Sequence, residues 1–439
     1  MRGTFWLANA PEKPVQGEFS LDELRVTLAP DAVLINPVIV TQVAENVWSQ
    51  HELRDHVKRY IIHGHLEDDS KITLVNASRE GYPETPQYFK SLTAILGACV
   101  TPDDCYSAAK ISYQAPWSEL VARAHWDEEV DAPGLGNCHL HTSADSLEAS
   151  WARPVTRTEI ERRLVEPLSA LLMILTRRRP RVDRFALMLS TGQWVSLLRP
   201  TTATENPKVL EEIFSLGEVG ATRFKAWLDQ TSALNPLSLV VAKSITGPGD
   251  LEPRIMALAA SAEALERLDH TNAIDSDLAK QLRNVAAGAV APEYQKVVFD
   301  KLGQLADPSF GERFEVLLSR LGPLAGQIAG PQLEDIPNPA AGQSPLRGQK
   351  LWIKLVKDSR NGTAHMLVPN KRIDDVDTYA ARHHVLLESL GWMMTALMLL
   401  RCGLPLAQIQ HNIVGPSAWY LSRDRAFEDL PEVYGPFEA

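Results

Sequence analysis

Hydrophobic and polar positions recur with two different periods along this chain, and the change falls near its middle. Up to about residue 215, short apolar–polar alternations are separated by polar turns, the pattern of half-buried strands. Two segments share one spacing: G-E-F-S-L-D-E-L-R-V-T-L from Gly17 and G-H-L-E-D-D-S-K-I-T-L from Gly64. Each predicts a strand, an acidic turn and a second strand ending in Thr-Leu, which is a hairpin signature. Phe185 to Leu198 predicts another hairpin, turning at Thr191-Gly192-Gln193. One helix, Thr156 to Leu175, interrupts the strands behind a Thr-x-Thr-Glu start.

Beyond about residue 247 leucines and alanines recur at steps of three and four, with Pro and Gly mainly between the periodic runs. Helices are expected over Glu252–Leu268, Ser276–Ala287, Pro292–Leu305, Phe310–Ile328, Pro345–Ser359 and Val376–Cys402, with a long loop at Leu333–Ser344. The fold class read from these patterns is α+β. A β-rich N-terminal domain with helical insertions (1–215) precedes a bridging region (216–246) holding one helix, Val219–Leu228. An all-α bundle (247–415) and a C-terminal tail (416–439) complete it.

Length adds that the chain is too long for one ordinary core. The net charge of −11 argues against generic coating of nucleic acid by a basic surface. A local basic stripe remains compatible with it. Four cysteines (Cys99, Cys105, Cys138 and Cys402) form no C-x-x-C pair and read as reduced thiols. No signal peptide is expected from the polar N-terminus. Val385–Leu400 is the most apolar stretch, but Glu388 interrupts it, so a core helix is expected there and no membrane span. Localisation is read as cytoplasmic.

Chemistry concentrates late in the chain. Arg347, Lys350, Lys354 and Lys357 follow helical steps and form one basic stripe that leads into Arg360-Asn361-Gly362-Thr363-Ala364-His365. Lys371 and Arg372 extend it, so this window holds seven basic residues and one acid, Asp358. A phosphodiester substrate requires such local positive charge. Metal-free RNA cleavage needs a base for the 2′-hydroxyl, an acid for the leaving oxygen and a cation for the charge growing on phosphorus. His365 titrates near neutrality, Arg360 forks onto phosphate oxygens, and Asn361 shares a helix face with His365 and can orient it. One histidine per chain supplies acid and base together only in a symmetric dimer. Glu263 and Glu266 are candidates to hold Arg360 or a neighbouring cation.

R-N-x-x-x-H late in a helical bundle resembles the signature of HEPN (higher eukaryotes and prokaryotes nucleotide-binding) domains. Ala262-Glu263-Ala264-Leu265-Glu266, Lys357-Asp358-Ser359 and Leu400-Arg401-Cys402-Gly403-Leu404 resemble the ApeA-like HEPN subgroup. The hairpins at Gly17 and Gly64 resemble the ApeA N-terminal domain. The resemblance implies a HEPN-type bundle and a metal-independent endoribonuclease acting as a homodimer in bacterial anti-phage defence. Its products would be 2′,3′-cyclic phosphate ends, with tRNA among the candidate RNA partners, a phage-derived trigger and no cofactor. The N-terminal domain would sense or restrain, and a fragment lacking 1–215 would keep cleavage possible.

Competing readings are a non-catalytic HEPN module that binds a nucleotide or partner, and a metal hydrolase built on Cys138, His139 and His141. Strand periodicity puts His139 and His141 on one face and Cys138 on the other. His63-Gly64-His65 with Glu67, Asp68 and Asp69 reads as a turn. Arg177-Arg178-Arg179-Pro180-Arg181 reads either as a helix-end charge cluster or a nucleic-acid contact. His383-His384 reads as interfacial polarity near the motif.

Overall fold

The computed structural model of the chain describes residues 1–439 apart from 22–25, 33, 35–57, 81–86, 200–209, 211, 270–275, 299–307, 333–345, 365–375, 416–417 and 436–439. It is an α+β protein with its strands in the first half and most of its helices after them. Two compact units emerge, and neither is one contiguous run. The first is 1–166, 180–210 and 216–221; the second is 167–179, 211–215 and 222–439.

The strands of the first unit are β1 (Arg2–Leu7), β2 (Ala10–Leu21), β3 (Val26–Pro30), β4 (Arg59–Leu66), β5 (Lys71–Glu80), β6 (Tyr88–Ser91), β7 (Thr93–Leu96), β8 (Cys105–Tyr113), β9 (Asp127–Ala132), β10 (Gly136–Thr142), β11 (Ser146–Thr156), β12 (Val182–Leu189) and β13 (Trp194–Leu198). Their order is β4-β1-β2-β3-β6-β5-β7-β13-β12-β8-β11-β10-β9, and a further β4–β5 pairing closes the first six into a barrel. The ladders are antiparallel, and strand β5 serves both barrel and open sheet, because it pairs with β4, β6 and β7. The expected hairpins form: β2 pairs with β3, β4 with β5, and β12 with β13. In the second turn Asp68 accepts a hydrogen bond from the Ser70 amide at 3.0 Å, so that acid is turn chemistry. That amide bond holds the Asp68 carboxyl below the usual range.

Phe5, Phe19, Leu28, Ile62, Leu74 and Phe89 are fully buried in the barrel, each contributing about 1.5–3 kcal/mol of burial. The glycines of the repeated spacing have a packing reason. Phe5 pairs in register with Gly64, and a Cβ there would lie 2.5 Å from the Phe5 ring. A Cβ on Gly17 would meet Pro30 Cα at 2.9 Å and the same ring at 3.3 Å. Gly64→Ala is therefore expected to lower stability by about 1–3 kcal/mol through overpacking, and Phe5→Leu in that background to recover part of it. Thermal denaturation of the two variants checks this.

Helix α1 (Trp117–Ala122) packs on β8 and β11. Helix α2 (Arg157–Ile160) starts from a capping box in which the Thr156 hydroxyl accepts the Glu159 amide and the Glu159 carboxylate accepts the Thr156 amide. A π-helical turn, Glu161–Val165, leads into α3 (Glu166–Thr176), which is buried from Pro167 onward.

The second unit is helical. Its elements are α4 (Leu216–Ala233, broken at Gly220 with φ 66°, of which 216–221 belong to the first unit), α5 (Leu237–Thr246), α6 (Leu251–Asp269), α7 (Ser276–Gly288), α8 (Phe310–Arg320), α9 (Pro323–Ala329), α10 (Gly348–Ala364), α11 (Val376–Arg401), α12 (Leu406–Val414), α13 (Ala418–Asp429) and α14 (Pro431–Tyr434). A further helical stretch covers 292–298, and the rest of the expected 292–305 helix lies outside the described residues. So does the expected loop at 333–344. Helix α6 packs against α5, α8, α10 and α11. Helix α11 is apolar almost all round and, apart from half-buried Glu388, buried from Val385 to Leu399, as a central core helix must be. Its stretch Asp377–Arg401 is long and apolar enough to cross a membrane, but neighbouring helices bury most of it.

Four expectations are corrected. The bridge holds two helices, because the apolar run Leu237–Thr246 is a buried helix with no polar face to mark its period. The expected Phe310–Ile328 helix is two, broken where Gly322 takes φ 49° ahead of Pro323. The expected tail contains α13 and α14, with Trp419, Ala426 and Val433 fully buried. Lastly, α10 begins later than expected and runs through Gly362, where nothing crowds the position of a Cβ.

Candidate functional site

The end of α10 carries Arg360 and Asn361 because Trp352 and Val356, two turns and one turn earlier, anchor the helix. Both are fully buried, and the Trp352 indole N–H donates to Ser389 Oγ of α11 at 2.8 Å. Arg360 Nη2 lies 3.1 Å from Glu263 Oε1 on α6, and its Nη1 donates to Asn361 Oδ1 at 3.0 Å. The guanidinium side chain is 35% exposed and the carboxylate 13%. A mostly buried acid therefore fixes a cation whose outer edge reaches solvent. Pairing across two helices also pre-orients the Arg360 fork.

His365 lies outside the described residues, as do Lys371 and Arg372. Lys350, Lys354 and Lys357 are exposed on α10, and among the described residues none has an ion-pair partner. Arg347 is half-buried and already engaged with another residue, so it is not a free member of the stripe. Asp358 is exposed among the lysines.

Glu266, one helical turn after Glu263, serves a different purpose. It is fully buried and accepts a 2.8 Å hydrogen bond from Arg313 of α8, whose side chain is 3% exposed. Arg313 Nε donates to the Pro308 carbonyl as well. Sequence reasoning named the acid but not this arginine, which sits in an amphipathic helix without any local mark.

The other clusters resolve separately. Cys138 is buried toward the sheet's core face, and burial pushes its thiol up to about 12. His139 and His141 are exposed on the opposite face, each 3.3 Å from Asp127 of β9. A Cys138–His139–His141 metal centre is therefore excluded by strand geometry. Among the described residues no group of three or more His, Cys, Asp or Glu side chains is arranged to hold a metal ion. His63 bonds to the Val100 carbonyl, and Trp6 meets His63 and His65 edge-on.

The arginine run divides. Arg177 caps α3 in the left-handed region (φ 50°) and turns into the helical unit. There it donates to Glu388 at 2.7 Å and lies 4.2 Å above the Trp392 ring. Arg178 and Arg179 are exposed. The neighbouring histidines also separate: His383 bonds to the Tyr379 carbonyl and meets its ring at a tilt of 35°, whereas His384 lines a cleft against α13.

No protein-family model, curated protein or solved structure matches this chain.

Proposed function

We propose that this protein is a metal-independent endoribonuclease of the HEPN type, acting as a homodimer in bacterial anti-phage defence, with tRNA among its candidate substrates. The observation that supports it best is the Arg360–Asn361–Glu263 arrangement at the end of a helix whose exposed lysines carry no ion-pair partners among the described residues. A fixed arginine beside a basic helix face suits a phosphodiester, which needs charge for binding and a positioned cation for the pentacoordinate transition state.

In this mechanism His365 of one copy removes the 2′-hydroxyl proton. The 2′ oxygen attacks phosphorus, and the bond from phosphorus to the 5′ oxygen breaks. His365 of the second copy delivers a proton to the leaving oxygen. The products are a 2′,3′-cyclic phosphate and a 5′-hydroxyl. Arg360 binds two non-bridging oxygens, Asn361 orients the imidazole, and Lys350, Lys354 and Lys357 bind flanking phosphates.

Purified protein incubated with total bacterial RNA and a chelator is expected to cleave at the rate seen without chelator and to leave those ends. Loss of cleavage on chelation, or 3′-hydroxyl ends, overturns the mechanism. The competing reading is a non-catalytic interaction module. Glu263 and Asn361 already occupying Arg360 is the observation in its favour, and a folded protein that leaves RNA intact in the same assay would establish it.

A further inference from the structure

Helix α7 and the helical stretch 292–298 carry apolar side chains that the fold leaves in solvent. In α7, Leu282, Val285, Ala286 and Ala289 recur at i, i+3, i+4 and i+7, so they form one stripe. Lys280, Gln281 and Asn284 lie on the other side. Tyr294, Val297 and Val298 repeat the spacing after a short link, across which the Gln295 side chain donates to the Val290 carbonyl at 3.4 Å. In α6 and α8 the corresponding stripe is buried, through Ile255, Leu258, Ala262 and Leu265 and through Phe314, Leu317 and Leu318. Here no side chain from Lys280 to Val298 is buried. Val285 is 72% exposed, and Tyr294 and Val297 are each 59% exposed. Among the described residues no other element packs along α7. A helix of 13 residues is marginal in water by itself, because nucleation costs more than so few hydrogen bonds return. Its amphipathic pattern gains stability only against a partner.

The make-up of the face selects that partner. A membrane surface calls for a cationic polar face and bulky Trp, Phe or Leu anchors. The exposed charges here are of both signs, Lys280 and Lys296 with Glu293, and alanines share the stripe. Mixed charge is equally unsuited to a nucleic-acid backbone. Alanine beside leucine and valine leaves grooves that the side chains of another helix fill. A second copy meets the charges as well. Lys280 stands near the start of α7 and Glu293 just beyond its end. Two antiparallel α7 helices therefore bring Lys280 of each copy toward the partner's Glu293. Size agrees too: 276–298 supplies 23 residues, and a stable interface uses about 20–30 a side.

We infer that two copies of this chain associate through α7 and 292–298, packed antiparallel about a two-fold axis near Ala286, the position midway between Lys280 and Glu293. Leu282, Val285, Tyr294 and Val297 of both copies form the shared core. The ribonuclease reading also needs a dimer, but this surface rests on the two helices alone.

The test is light scattering of the full chain over a micromolar concentration series, with circular dichroism on each variant. The wild type is expected to reach twice the mass of one chain. Leu282→Asp and Val285→Asp alter exposed positions, so the fold should persist while the dimer dissociation constant rises about tenfold or more. Lys280→Glu should weaken the dimer, and adding Glu293→Lys to it should restore the wild-type constant. Ala286→Cys is expected to form a covalent dimer on mild oxidation that the wild type does not form. A wild type that stays monomeric, or a dimer unmoved by both aspartates, overturns the interface. A monomer that cleaves RNA removes this interface alone, whereas a dimer through this face that leaves RNA intact supports the interface and removes the ribonuclease reading.

Discussion

Arg313→Met is expected to cost about 3–5 kcal/mol of stability, because it strands the Glu266 carboxylate in the centre of the helical unit. Both partners are almost completely buried and lie 2.8 Å apart. Water cannot reach the acid to replace the lost guanidinium. The same physics makes a second result diagnostic. Replacing both partners, as Glu266→Leu with Arg313→Met, removes the buried charge along with its counter-charge and should recover most of the loss. Denaturant titration of the two single variants and the double variant measures the coupling as a cycle. A single variant that unfolds at the wild-type midpoint would mean that Arg313 does not compensate Glu266.

The second large effect concerns the proposed chemistry. Arg360→Ala and His365→Ala are each expected to reduce RNA cleavage by about 10²–10⁴-fold, the range for removing a transition-state cation or a general acid–base. Fold stability should fall less for Arg360→Ala than for Arg313→Met, because the Arg360 side chain is 35% exposed and solvent screens its pair, although Glu263 is only 13% exposed. Glu263→Gln separates positioning from chemistry. It keeps a hydrogen-bond acceptor for Arg360 but removes the charge, so cleavage should fall less than in Arg360→Ala. Arg360→Lys keeps the charge but loses the two-pronged geometry, and should behave nearer to alanine than to wild type. Single-turnover rates on one defined RNA, with circular dichroism on each variant, check the series. Folded Arg360→Ala protein cleaving at the wild-type rate would remove this residue from the mechanism.

What the sequence made legible was mostly local. The hairpins at Gly17, Gly64 and Phe185 announce themselves because acidic or glycine turns interrupt period-two patterns within a dozen residues. Helices α6, α10 and α11 stand out through three- and four-residue spacing. The barrel was invisible, because besides its local hairpins it needs distant ladders such as β1 on β4, which pairs Phe5 with Gly64 across nearly sixty positions. No turn or periodicity encodes that register. Helices α13 and α14 escaped because their buried residues, Trp419, Ala426 and Val433, are sparse and flanked by Pro and Gly. In the candidate site the basic stripe could be read directly from helix geometry. The pairing of Arg360 with Glu263 could not, since two helices nearly a hundred residues apart must first pack. The sequence supplied the candidates and tertiary structure selected between them, assigning Glu263 to Arg360 and Glu266 to Arg313.

The interleaving of chain between the two units bears on how this protein can be divided. The helical unit includes 167–179, which brings Arg177 to Glu388 and lets the Trp227 indole N–H donate to the Pro167 carbonyl at 2.8 Å. A cut after residue 215 would therefore not liberate a self-sufficient bundle. It would uncover the Trp392 ring beneath Arg177, orphan the Trp227 indole and leave Glu388 without the Arg177 counter-charge. Neither unit can be exchanged at a single junction like a bead on a string. Any recombination that moved the helical half to another protein had to carry helix α3 with it.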